Sequence, residues 1–224
     1  MTKDNKISLS VIRRLPRYYR FLGELKHQDV ERISSKGLSE LMGLTASQIR
    51  QDLNCFGGFG QQGYGYNVDA LYKEIGKILC VDKSRSAILL GAGNLGTALA
   101  RQLDFTKRGC KLVGIFDNNK ELFGNEIAGI KVSDISTIFD FCEKENPIIA
   151  ILCIPKEAAQ ELADILVSAG IRAFWNFSHY DLCLEYRTNV VVENVHLGDS
   201  LLTLAYRVNN EVLDIENKLK GEAL

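Results

Sequence analysis

The chain of 224 residues is 46% hydrophobic and 25% charged, a globular composition sufficient for one large or two small domains, which excludes disordered, collagen-like and coiled-coil rod proteins. No apolar run approaches the ~18–20 residues of a membrane span, and Met1-Thr2-Lys3-Asp4-Asn5-Lys6 is not followed by a signal-peptide core, so a soluble cytoplasmic protein with no membrane partner is expected. The net charge of −1 hides an asymmetry: residues 1–85 hold fourteen Lys/Arg against nine Asp/Glu, a net +5, and the remainder thirteen against nineteen, a net −6. All of the positive excess is present by residue 50, which suggests two modules, the first able to face a polyanion.

In chain order, Ile12, Leu15, Tyr19, Leu22 and Leu25 recur at helical steps with Arg13, Arg14, Arg17 and Arg20 between them, and Pro16 either starts or kinks this first helix. Ser34 and Ser35 are N-cap candidates for a second helix that buries Leu38 and Leu41 and stops at Gly43. Thr45-Ala46-Ser47-Gln48 reads as a capping box, with Gln48 reaching back, and opens a third helix to about Asn54. There Ile49 and Leu53 face the core, while Ser47, Arg50, Gln51 and Asn54 form one polar face. Arg pairs with guanine and Gln or Asn with adenine, so the face has the chemistry of a major-groove reader; a solvated surface is the alternative.

The run Phe56 to Tyr66 holds five glycines and four aromatics in eleven residues, suited to a short twisted hairpin. Helix-turn-helix plus hairpin predicts a winged helix within residues 1–80, the helix-turn-helix at about 17–56 and the wing at 57–66. Gln61, Gln62 and Tyr64 at the wing tip could enter an A·T-rich minor groove; a glycine loop that touches nothing is the alternative. A fourth helix, Val68 to about Leu79, packs Leu71, Ile75 and Ile78 and leads into a polar linker, 81–85.

From residue 86 the pattern becomes strand and helix in alternation. Ser86 to Leu90 is a buried strand that runs into Gly91-Ala92-Gly93-Asn94-Leu95-Gly96 and then a helix, a G-x-G-x-x-G in its required setting. Gly91 permits the tight turn, Gly93 admits a pyrophosphate, Gly96 lets helix and strand pack, and the helix N-terminus offers N–H donors. The next strand, Lys111 to Phe116, ends at Asp117, twenty-one residues beyond Gly96, where a carboxylate binds the adenine ribose diol; Asn118 follows it at the same site. Asp117 would repel a 2′-phosphate, which favours NAD(H), although Lys120 leaves NADP(H) open.

Further strands are expected at Ile148 to Ile154, Ile171 to Phe177 and Val190 to Val195, with a helix from Lys156, giving six or seven strands in a Rossmann doubly wound parallel sheet over 86–198. Their carboxyl ends add Ile154, Pro155, Asn176, Phe177, Ser178, Glu193 and Asn194 as cofactor-contact candidates; for Asn176 a turn-forming role is an equal reading. The six cysteines lie at least eleven positions apart without a C-x-x-C pair, so metal sites and disulfides are not expected, and each cysteine reads as a small buried hydrophobe. Over 199–224 Leu201, Ala205, Val208, Val212, Ile215 and Leu219 form an a/d seam that needs a partner, either its own sheet or a second protomer.

Arg13-Arg14-Leu15-Pro16, Arg32-Ile33-Ser34-Ser35-Lys36, Gln48-Ile49-Arg50-Gln51-Asp52-Leu53, the Phe56–Tyr66 run, Gly91 to Gly96 and Val192-Glu193-Asn194-Val195 together resemble the Rex family of redox-sensing transcriptional repressors, over roughly residues 7 to 208. The resemblance implies a homodimer whose winged helices bind a palindromic duplex operator, whose Rossmann domains bind NADH and NAD⁺, whose C-terminal helices are swapped between subunits, and which NADH releases from DNA. It places Arg50 and Gln51 on the recognition helix, Gln61 and Gln62 on the wing, and Gly91, Gly93, Gly96 and Asp117 on the cofactor. Arg20 matches a switch arginine whose family partners, a tyrosine and an aspartate, are replaced here by Gln102 and His196. A protonatable His196 beside Arg20 would make the response pH-dependent.

Two rival functions remain at this stage. An NAD-dependent dehydrogenase would need a substrate domain and a positioned acid–base set, for which the sequence offers only His179 and His196 near strand ends. A domain binding CoA or another nucleotide in a larger assembly would not need the helix-turn-helix.

Overall fold

Apolar side chains spaced by four, three and four residues draw the first segment into a helix, α1 (Leu9–His27), which buries Val11, Leu15, Tyr18 and Leu22. This computed structural model describes residues 7–57, 60–61, 64–186 and 189–212. They fall into two units, Met1–Ser84 with Lys107–Gly109, and Arg85–Thr106 with Cys110–Leu224. Pro16 lies inside α1 and does not start it.

In the first unit β1 (Arg32–Ile33) precedes α2 (Ser35–Met42), α3 (Ala46–Asn54), β2 (Gly60–Gln61), β3 (Gly65–Asn67) and α4 (Val68–Ile78). Ser34 caps α2 by accepting the Gly37 N–H, and Gly43 ends it at φ 60°, a left-handed conformation that glycine adopts without strain. Leu38 and Met42, one turn apart, face the core; Leu41, expected there, is 44% exposed because it sits about 100° round the helix from Met42. The three strands form an antiparallel sheet in the order β1-β3-β2. β1 has no counterpart in the sequence reading, since two residues are too few to show an alternating pattern. Gly65 is required where it stands: φ is +69°, and a Cβ would lie 2.6 Å from the Ile33 carbonyl oxygen. One core unites the unit, built on Leu15, Tyr18, Leu22, Leu38, Met42, Ile49, Leu53, Tyr66, Val68, Leu71 and Ile75.

The second unit runs β4 (Arg85–Leu90), α5 (Asn94–Gln102), β5 (Cys110–Asp117), β6 (Glu126–Ile127), β7 (Ile130–Asp134), α6 (Ile138–Glu145), β8 (Ile149–Leu152), α7 (Lys156–Ser168), β9 (Ala173–Asn176), α8 (Leu182–Glu185), β10 (Val191–Asn194) and α9 (Leu197–Arg207). β4 starts at Arg85, inside the segment read as a linker. The sheet order is β10-β9-β8-β4-β5-β7-β6, and every pairing is parallel except the β6/β7 hairpin, which the sequence reading did not include. Strand order reverses between β4 and β8, the switch point at which doubly wound sheets take their ligands.

Alternation along β4 feeds both faces of the sheet. Ile88 and Leu90 join Ile138, Cys142, Ala159 and Leu166 of α6 and α7, while Leu89 joins Ala100 of α5, Ile115 and Ile151. α9 is different. It buries none of its residues, with Leu197, Leu201, Leu202 and Tyr206 each more than 60% exposed. Packing on its own sheet, one of the two readings of the seam, is not the arrangement found. A π-helical turn, Val208–Val212, follows it, and Ile215 and Leu219 of the seam lie outside the described residues.

Candidate functional site

What α3 buries decides what it exposes. Ile49 and Leu53 enter the apolar core, and between them Asp52, 1% exposed, enters as well. Its Oδ2 accepts from Arg14 Nε (2.7 Å) and the Tyr18 hydroxyl (3.1 Å), and its Oδ1 from Arg14 Nη2 (2.6 Å) and Gln48 Nε2 (2.8 Å). Burial by itself would raise the Asp52 carboxyl, but the bonds from Arg14, Gln48 and Tyr18 outweigh it and hold the group below the usual carboxylate range. Half of the expected capping box exists: Thr45 accepts the Gln48 N–H. Gln48 reaches forward to Asp52 and not back to the cap, because an ionised acceptor one turn along makes the stronger bond. Sequence reasoning missed this network, although Ile49, Asp52 and Leu53 share an i, i+3, i+4 stripe that would have marked it.

On the opposite side Ser47, Arg50, Gln51 and Asn54 are all exposed and near one another. Arg50 Nη1 donates to Ser35 Oγ at the start of α2 (3.1 Å). In the hairpin Tyr64 is 70% exposed, and its carbonyl accepts from Arg32 on β1. Gln61 contributes its backbone to β2; its side chain, and Gln62 entirely, lie outside the described residues.

At the switch point of the second unit Gly91 has φ +95°, and a Cβ there would lie 2.3 Å from the Cys153 carbonyl oxygen at the end of β8. A Cβ on Gly96 would lie 1.8 Å from the Gly91 carbonyl oxygen. Gly93 differs: a Cβ there meets no atom within 4 Å, and as N-cap of α5 it supplies no side-chain cap. The first turn of α5, with Asn94 and Leu95 exposed, therefore keeps its N–H groups for an anion. Asp117 Oδ2 accepts the Ala92 N–H (2.6 Å) and Oδ1 the Asn119 N–H (2.8 Å), so this carboxylate also shapes the glycine loop; Asn118 is exposed beside it. These residues fit a dinucleotide: open space at Gly93, unclaimed amides, and a fixed negative group at the end of β5.

The second tier of candidates divides. Ile154 is half-buried beside Gly91, Pro155 caps α7, and Phe177 packs edge-on against Trp175. Asn176 is fully buried: its amide oxygen takes the Ser178 N–H and O–H, and its NH₂ donates to the Tyr180 carbonyl and to Asn194 Oδ1. All four of its hydrogen-bonding capacities are used in joining β9, its following turn and β10, which is the turn-forming role and leaves nothing for a ligand.

Of the switch candidates, Arg20 is exposed on α1 with its guanidinium over the Phe21 ring, Gln102 is the exposed last residue of α5, and His196 is the N-cap of α9. His196 has a partner within its own unit: its Nδ1 lies 3.0 Å from Nδ1 of His179, a residue held at φ +61°. One ring donates and the other accepts. All six cysteines are free, but the reading of each as a buried hydrophobe holds fully only at Cys142: Cys80, Cys110 and Cys153 are half-buried, and Cys55, the C-cap of α3, and Cys183 in α8 are exposed. Burial pushes the Cys153 thiol up to about 12, which keeps it protonated near neutral pH. Among the described residues no cluster of three metal-ligating side chains occurs, and no helix is long and apolar enough to cross a membrane.

A winged helix with an exposed polar recognition face, continuous in one chain with a dinucleotide-type sheet, defines a nucleotide-responsive DNA-binding regulator. Residues 6–54 match the family described as "Putative DNA-binding protein N-terminus" and residues 82–180 the "CoA binding domain" family. The chain is 57% identical over 222 residues to the redox-sensing transcriptional repressor Rex of Thermoanaerobacter pseudethanolicus, covering 99% of this chain and 97% of that one. It is 53% identical over 206 residues to Rex of Clostridioides difficile, covering 92% and 97%. Among solved structures it resembles RSP in complex with β-NAD⁺ and operator DNA (TM-score 0.85, 55% identity, 99% of this chain and 100% of that one) and RSP in complex with β-NADH (TM-score 0.85, 52% identity, 95% and 99%). The chain belongs to the Rex family of redox-sensing transcriptional repressors.

Proposed function

We propose that this protein is a cytoplasmic repressor that binds a palindromic, A·T-rich operator as a homodimer and is released from it by NADH. The observation that carries the reading is the end-to-end likeness to RSP, described with β-NAD⁺ and operator DNA in one structure and with β-NADH in another. In this chain Arg50, Gln51 and Asn54, with Ser47, read base edges in the major groove, and the hairpin residues Gln61, Gln62 and Tyr64 reach the minor groove. Gly91 to Gly96 receive the pyrophosphate, Asp117 with Asn118 the adenine ribose, and Ile154, Pro155 and Phe177 line the sheet's carboxyl edge. The negative charge of Asp117 favours NAD(H) over its 2′-phosphorylated counterpart. The curated relatives are repressors and not enzymes, and this chain is read the same way.

NADH and NAD⁺ differ by a hydride and one positive charge. To sense their ratio the dimer must hold two states that the nucleotides and the operator stabilise unequally, with a coupling of roughly 1–3 kcal/mol that is reciprocal by linkage. The test is fluorescence anisotropy on an A·T-rich palindromic duplex at one salt concentration, without ligand, with NAD⁺ and with NADH. Tight binding reversed by NADH alone, and NADH affinity lowered by the same factor when DNA is bound, supports the reading. Equal binding in all three conditions sinks the redox switch, and no binding in any condition sinks the repressor.

A further inference from the structure

The Arg14–Asp52 fork ties two helices with different tasks: α1, an arginine-rich scaffold helix, and α3, which carries the reading face. Ile49 and Leu53 hold α3 on the core by apolar contact, which is non-directional and tolerates rotation of the helix about its own axis. The fork is directional. Two parallel N–H···O bonds from one planar guanidinium, with Tyr18 and Gln48 filling the other sites, admit a single orientation of the carboxylate. Asp52 points inward while Arg50 and Asn54, two residues to either side, lie about 160° round the helix, so rotation at the carboxylate moves the reading face equally. A rotation of about 10° carries a side-chain tip some 5–6 Å from the axis through about 1 Å, enough to spoil a bidentate contact to a base. A buried ion pair adds little net stability against an apolar pair of similar volume, so its use here is to fix an arrangement.

We propose that Arg14 and Asp52 are positioning residues for sequence reading: they touch no base but set the rotation of α3, and with it the discrimination between operator and other DNA. The inference rests on the repressor reading above. It is tested in the full chain with Arg14→Lys, which keeps the charge and loses the fork, and with the double variant Arg14→Met/Asp52→Leu, which replaces the pair by apolar side chains. Affinities for an operator-type palindrome and for a scrambled duplex of the same composition are measured by anisotropy, and the active fraction by stoichiometric titration. Circular dichroism and NADH affinity check that both units are folded.

The expected result is a roughly tenfold fall in the operator-to-scrambled affinity ratio in both variants, the size that loss of a charged hydrogen bond supports. Scrambled-DNA affinity, salt dependence, NADH affinity and active fraction should be unchanged. A merely structural pair would lower the active fraction and leave the ratio untouched, and that outcome overturns the proposal, as does a parental ratio in both variants. If the double variant does not fold, Arg14→Lys decides by the same ratio; unfolding of both assigns the pair to stability and overturns the proposal. Absence of discrimination in the parent itself instead sinks the repressor reading.

Discussion

Two glycines of one loop, three residues apart, answer to different constraints. At Gly96 a Cβ would meet the Gly91 carbonyl at 1.8 Å, so Gly96→Ala must force α5 away from β4; lowered thermal stability and lost NADH binding are expected together. At Gly93 a Cβ meets nothing in the protein within 4 Å, so Gly93→Ala should melt like the parent yet lose about tenfold or more in NADH affinity, about 1.4 kcal/mol, because the methyl would fill the space proposed for the phosphate. In calorimetry and titration a Gly93→Ala protein that binds NADH normally would show that the pyrophosphate does not lie there. The roles of these glycines were legible in the sequence because strand, loop and helix signals surround them. Asp52 was not, since an acidic residue in a polar-rich helix reads as surface until Arg14, thirty-eight positions away, is placed beside it. Its carboxyl is held below the unfolded value of about 3.9, so its contribution is complete above that pH and is lost as pH falls through the folded value. Arg14→Ala, which leaves Asp52 buried without its ion-pair partner, should cost about 3–5 kcal/mol at neutral pH and flatten the acid limb of the stability curve.

Among the elements, α2, α3 and α4 begin alike, whereas α1 starts without a side-chain cap. Ser34, Thr45 and Asn67 each accept the N–H three residues on, from Gly37, Gln48 and Ala70. Removal of the last cap by Asn67→Ala should cost about 1 kcal/mol and lower the melting temperature of this unit by roughly 4–8 °C in a thermal scan, without changing NADH affinity. Caps, glycine stops and apolar runs are local, so these helices and five of the parallel strands, β4, β5, β8, β9 and β10, were readable from the sequence. β1 and the β6/β7 hairpin were not: each short strand exists only because a distant or antiparallel partner completes its hydrogen bonds. The same reason governs Leu41, whose apolar character is as strong as that of Met42 but whose angle on α2 leaves it facing out.

At the scale of the whole molecule the outstanding fact is α9, a helix with Leu197, Leu201, Leu202, Leu204 and Tyr206 all exposed. Leu197, Leu201 and Leu204 share one face of it and Leu202 and Tyr206 lie round the other side, so apolar surface uncovered on both sides calls for a partner, and a second copy suits a palindromic operator. Leu201→Lys with Leu204→Lys should shift the protein from dimer to monomer in sedimentation velocity and weaken operator binding far more than NADH binding; dimers that survive the double change would place the interface elsewhere. The amino-acid sequence by itself determined the two modules, the polar face of α3, the glycine loop and the place of Asp117, because each is written in residues adjacent along the chain and dictated by local conformation or by periodicity. Only the tertiary structure decided that Asp52 grips Arg14, that Asn176 is consumed in joining two strands, that His196 pairs with His179 and that α9 stands uncovered. Those depend on which distant side chains share one small volume, and neither periodicity nor spacing carries that information.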